Sequence, residues 1–142
     1  ICAHWRFKTP EIAVESANHI FGMYLDYRDE KDFIGMDMCR KFLEMGFTRS
    51  RRYANHRNGK KYDKEGNVIP QEPDHATCHF AKSAKIFKKV RDIVAKNDTY
   101  VKMRKHWRKE VEHSQEARVN ALATASNVKR AQYSNSKVSR TA

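Results

Sequence analysis

The residues best suited to chemistry in this chain are cationic. From Phe47 to Lys61 the sequence carries Arg49, Arg51, Arg52, Arg57, Lys60 and Lys61 and no acid. On a helix, Arg49, Arg52 and His56 share one face, and Arg51 and Asn55 share the next. Guanidinium groups grip phosphate bidentately, and an Asn amide can pair with a base edge. The candidate nucleic-acid contacts are therefore Arg49, Arg51, Arg52, Asn55, Arg57, Lys60 and Lys61. Tyr53 and Ala54 are expected to anchor the helix to the core. The competing reading is that some of these arginines pair with the acids of residues 11–44.

A second basic block runs from Lys82 to Lys109, with eleven basic residues against Asp92 and Asp98. It offers a secondary basic face of Lys85, Lys88, Lys89, Arg104 and Arg108. Trp107 stands within it, but its spacing from Met103 and Val111 favours packing over base stacking. The same lysines are also what any solvated helix face looks like.

Other chemistry is weakly supported. His75, Cys78 and His79 lie close together, but zinc takes four ligands, commonly as two spaced pairs, and no second pair answers this one. No metal site and no cofactor are expected. Cys39 falls on an apolar stripe, where a thiol is inert packing. Asp26, Asp29, Glu30 and Asp32 are first of all a charged turn, and no phosphate loop or nucleophile motif appears. No catalytic residue is assigned, and an enzyme is the less favoured class.

These side chains must be positioned by helices. Thr9-Pro10-Glu11 is a helix opening, and the first helix carries Ile12, Ile20, Met23, Tyr24 and Tyr27 on a stripe. Asp26 to Asp32 reads as a turn, and Asp32 as the cap of a second helix bearing Phe33, Met36, Cys39, Phe42 and Leu43. Gly46 is expected to stop that helix, and Thr48 to cap a third, short one that runs to Asn58-Gly59. Two helices joined through Met45-Gly46-Phe47 would make a helix-turn-helix outline. Phe42 stands where such motifs keep a small residue.

Between residues 59 and 79 the periodicity fails, with a turn at Lys64–Asn67 and breaks at Pro70 and Pro73. A short hairpin of 61–63 with 67–69 is compatible with this pattern. Helix returns through Phe80, Ala84, Phe87, Val90 and Val94 to Asn97. Asp98 or Thr99 caps the next helix, which extends to about Ala125. Beyond it, Ser126 to Ala142 holds Lys129, Arg130, Lys137 and Arg140 with no acid, a basic tail expected to be disordered alone.

At 142 residues, 39% hydrophobic, the chain can bury one modest core. No apolar run is long enough to span a membrane. Formal net charge is +12, which favours polyanions. The charge is also segregated: Glu11 to Glu44 holds eight of the seventeen acids. Cys2, Cys39 and Cys78 are odd in number and widely spaced, which suits free thiols in the cytoplasm or another reducing compartment.

HWRFKTPEIA from His4 to Ala13 and DFIGMDMCRKFLEMGFTRSRRYANHRNGKKYD from Asp32 to Asp63 resemble an uncharacterised family. It is a domain of unknown function associated with bacteria, their phages and some fungi. SAKIF at Ser83–Phe87 and the stretch Tyr100–His106 are similar to its later helices, so the resemblance covers residues 4 to 110. It implies a further segment before HWRF, with Ile1 internal to a longer product. It implies no activity, cofactor or site.

The sequence thus predicts a mainly α protein. A bundle of four to five helices fills residues 1–113, with an irregular segment at 59–79 and a possible short hairpin. Residues 114–142 are a helix extension and basic tail. The expected function is nucleic-acid binding, DNA or RNA, through backbone charge. The alternative is a structural or interaction subunit of a large nucleoprotein or protein assembly, held by its basic surface and tail.

Overall fold

The computed structural model describes the backbone of residues 1–138 and side chains through Asn127. It is mainly helical, and the described residues contain no strand beyond one isolated bridge. Two compact units emerge, residues 1–102 and 103–142.

In the first unit, α1 spans Pro10–Asp29. Thr9 caps it, its Oγ1 accepting from the Ile12 N–H at 3.2 Å. The acidic stretch 26–32 is less of a break than its charge suggests, because α1 continues through Asp29. The reversal is confined to Glu30 and Lys31, with Lys31 in the left-handed region at φ 55°. Lys31 N donates to Arg28 O at 3.0 Å and Asp32 N to Tyr27 O at 2.9 Å, the paired bonds that close a helix C-terminus. Asp32 then caps α2, accepting from Gly35 N at 3.0 Å.

Helix α2 runs from Phe33 to Asn55 without interruption. Gly46 does not end it, Thr48 begins no separate helix, and the helix-turn-helix outline disappears. The reason lies in packing. Met36, Cys39, Leu43, Gly46, Ser50 and Ala54 are all buried, one stripe at three- and four-residue intervals. Gly46 is a member of that stripe, placed against the Phe87 ring of the next helix. A helical glycine costs about 1 kcal/mol against alanine; tertiary contact offsets it here.

The segment from His56 to Cys78 is irregular, as expected, and is pinned at several points. Tyr62 and Val68 form an antiparallel bridge, and Ile69 N donates to Lys61 O at 2.8 Å. Asp63 Oδ1 accepts from Glu65 N and Asn67 N at 3.0 and 2.8 Å, so the hairpin turns on an Asx motif. Farther along, Glu72 N donates to Asn55 O at 2.8 Å, tying the loop to the end of α2.

Helix α3 (His79–Lys96) packs on both α1 and α2, burying Ala81, Ser83, Ala84, Phe87 and Val94. Helix α4 (Asp98–Trp107) follows. Its cap is Asn97 rather than Asp98 or Thr99: the amide oxygen accepts from Tyr100 N at 3.3 Å. The Tyr100 hydroxyl donates to Asp37 Oδ1 at 2.7 Å, joining the start of α4 to α2.

The second unit begins at Met103 and holds a π-helical turn, Arg108–Glu112, and helix α5, His113–Val138. The helix therefore passes Ala125 and enters the stretch expected to be disordered. Residues 113–138 contain neither Gly nor Pro, so nothing local breaks it. The side chains of Lys129, Arg130 and Lys137, and all of Arg140, lie outside the described residues. No helix among the described residues is long and apolar enough to cross a membrane.

Candidate nucleic-acid interface

The uninterrupted α2 decides where the Arg-rich run points. Ser50 and Ala54 face the core, so Arg49 and Arg52, three residues apart, project from the opposite side as exposed neighbours. No hydrogen bond or ion pair engages either side chain among the described residues. Lys60 and Lys61 are also exposed, and Lys61 Nζ lies 5.6 Å from the centroid of the Tyr62 ring.

Arg51, Asn55 and Arg57 are placed differently. Arg51 donates to His75 O at 3.0 Å and to Asn55 Oδ1 at 2.8 Å. It braces the irregular segment, and the Asn55 amide oxygen is committed to it rather than to a base. Arg57 pairs with Asp74 at 2.6 Å, both side chains about half exposed. The acids of residues 11–44 take none of these arginines. Glu44 instead holds Arg91 at 2.6 Å, and Arg91 lies 5.2 Å from the Phe47 ring centroid. His56, expected on the arginine face, is buried at the end of α2.

The α3 lysines divide in the same way. Lys82, Lys85 and Lys89 lie on the solvent side, away from Ser83, Ala84 and Phe87. Lys88 is paired with Asp92 at 2.8 Å. The charges of Lys88 and Arg91 and their hydrogen bonds hold the Asp92 carboxyl down at about 2. In the second unit, Arg108 lies 3.8 Å from Glu112, while Arg104 and Trp107 are half-buried and engaged.

One component escaped sequence reasoning. Tyr53 does not sink into the core beside Ala54. It is half-buried and forms one wall of a cleft of about 270 Å³ with Trp5, Phe7 and Phe80, rimmed by Arg6 and Lys8. Ring centroids are 5.8 Å apart for Phe7–Tyr53 and 5.5 Å for Tyr53–Phe80. The available signal was Trp5-Arg6-Phe7-Lys8, a period-two alternation of ring and cation that suits an extended segment. Ser16 holds that segment, its hydroxyl donating to His4 O at 2.7 Å and accepting from Arg6 N at 2.9 Å.

Cys39 is fully buried in the apolar stripe of α2, and burial pushes its thiol up to about 11. Asp32 serves as a helix cap and Asp29 lies 3.9 Å from Arg28. His75 offers its carbonyl to Arg51, and His79 packs on Phe80 at 4.2 Å. No group of three or more potential metal ligands exists among the described residues.

No curated protein and no solved structure matches the chain. The family model described as "Domain of unknown function (DUF4385)" matches residues 1–110, which takes in α1, α2, α3 and α4 together with the cleft and the Arg-rich end of α2. The chain belongs to this family of unknown function.

Proposed function

We propose that this protein binds nucleic acid through phosphate contacts, with Arg49, Arg52, Lys60 and Lys61 as the principal cations and Lys82, Lys85 and Lys89 as a second face. The observation carrying this reading is Arg49 beside Arg52. Two guanidinium groups stand exposed on one helix face, in a stretch without acids, and no carboxylate among the described residues pairs with them. Arg57 can join them, because a half-exposed ion pair is worth little and exchanges readily for a phosphate. DNA and RNA both present that phosphate. Three free cysteines, Cys2, Cys39 and Cys78, suit a reducing compartment, and a spread across bacteria, phages and some fungi is compatible with so general a ligand.

The test is a titration of the full chain against duplex DNA, single-stranded DNA and RNA at two salt concentrations. Four phosphate contacts give a log–log salt slope of about −3 to −4. Changing Arg49 and Arg52 together to Ala lowers that slope by about 2 and weakens binding at low salt by tenfold or more. Salt-insensitive binding that the double variant leaves unchanged sinks the reading.

A second reading, an interaction subunit of a larger assembly, draws on Val119 and Leu122 of α5, which are 64% and 70% exposed. It predicts a partner that remains bound when salt is raised.

A further inference from the structure

The cleft of Trp5, Phe7, Tyr53 and Phe80 combines three properties that neither a core nor an ordinary surface holds together. All four rings are half-buried, so faces and edges remain within reach of solvent. The residues lining the cleft include two cations, Arg6 and Lys8, and no carboxylate. Its volume, about 270 Å³, falls just under the usual range of small-molecule pockets, about 300–1,000 Å³. That suits one flat ring system.

Further cations lie near this cleft. Arg49 lies one helical turn before Tyr53 on the same side of α2, whereas Arg52, adjacent to Tyr53 in sequence, projects about 100° farther round the helix. Gly59, with a φ of +73°, turns the chain over Tyr53, where a Cβ would stand 3.1 Å from the Tyr53 ring, and the exposed Lys60 is the next residue. Aromatic walls framed by unneutralised cations match the two halves of a nucleotide, a flat base and its phosphate.

We infer that this cleft is a stacking site for an unpaired base, and that the preferred ligand is single-stranded nucleic acid. The backbone would lie along Arg49 and Lys60, with one base laid against the exposed ring faces of the cleft. A duplex keeps its bases stacked internally and cannot fill the cleft. Stacking accepts any base because each has a π face, so little sequence preference follows. The inference rests on the phosphate-binding reading above and adds the form of the ligand.

The experiment uses the full chain with Trp107→Phe, which leaves Trp5 as the reporter. Poly-dT is expected to quench Trp5 fluorescence as it binds, and duplex DNA of equal length is not. Tyr53→Leu and Phe7→Leu keep apolar volume and remove a ring. Each should weaken poly-dT binding roughly tenfold while leaving duplex affinity and the salt slope unchanged.

Salt-dependent poly-dT binding without Trp5 quenching, and unaffected by either Leu variant, overturns the stacking site and leaves the phosphate reading standing. Absence of salt-dependent binding to every nucleic acid overturns both. The quenching measurement needs no change in the cleft, so a Leu variant that fails to fold does not spare the inference.

Discussion

The Phe87 ring of α3 occupies the space that a side chain at residue 46 of α2 would need. A Cβ built on Gly46 would come within 2.6 Å of Phe87 Cε1, and both residues are fully buried. This contact lets α2 and α3 approach closely, and it keeps α2 in one piece. Because α2 is continuous, Arg49 and Arg52 project from the side opposite the core, on the same rigid element as Tyr53.

Gly46→Ala should therefore destabilise the protein despite alanine's higher helix propensity. Overpacking costs about 1–3 kcal/mol and the propensity gain returns about 1 kcal/mol. The clash is with a fully buried ring, which favours the upper end of that cost, so urea unfolding should show a net loss of up to about 2 kcal/mol. Adding Phe87→Leu should recover part of the Gly46→Ala loss, since the two positions couple through one contact.

Lys31 makes the opposite case. It holds the left-handed position at the end of α1 with a Cβ that glycine lacks. Lys31→Gly is expected to raise stability by up to about 1 kcal/mol. An unchanged or lower thermal midpoint would contradict this.

Arg51 and Arg49 should separate in stability measurements. Arg51→Ala leaves His75 O and Asn55 Oδ1 without their donor, at a cost of about 1–2 kcal/mol. Arg49→Ala removes an exposed, unpaired cation and should stay within about 0.5 kcal/mol of the parent. Only Arg49→Ala should alter nucleic-acid affinity without altering the unfolding curve.

Asp37 predicts an acid-sensitive joint between α2 and α4. Burial acts to raise its carboxyl. Hydrogen bonds from Arg40 and Tyr100, together with the charges of Arg40 and Lys41, outweigh this and hold it below its ordinary 3.8. A carboxyl depressed on folding stabilises the native state above its unfolded value, and that stability is lost as pH falls through the folded value. Asp37→Asn should cost about 1–2 kcal/mol at neutral pH. The difference between variant and parent should shrink as pH drops below about 3.8.

Thiol labelling provides an independent check of packing. Cys2 is exposed, whereas Cys39 is buried with its thiol raised to about 11. At mildly alkaline pH an alkylating reagent should modify Cys2 in the native protein and reach Cys39 only after unfolding. Labelling of both at equal rates would contradict the buried stripe of α2.

Elements governed by local chemistry are legible in the order of amino acids alone. Thr9-Pro10 and Asp32 are caps because their oxygens meet orphan N–H groups a few residues away. The hairpin at 61–69 and the irregular segment around Pro70 and Pro73 were legible for the same reason, as was the apolar stripe of α3. Gly46 is the counter-case, because a glycine reads as a stop until a ring from a helix some forty residues later is seen against it.

The same distance effect sorted the cations. Arg49, Arg51 and Arg52 are indistinguishable as residue types. His75, folded back from the irregular segment, takes Arg51, and nothing comparable reaches Arg49 or Arg52. The aromatic cleft brings Trp5 and Phe7 to Tyr53 and Phe80 across nearly the whole length of the first unit. No local rule of spacing encodes that meeting; it follows from the close packing of α1, α2 and α3 on one another.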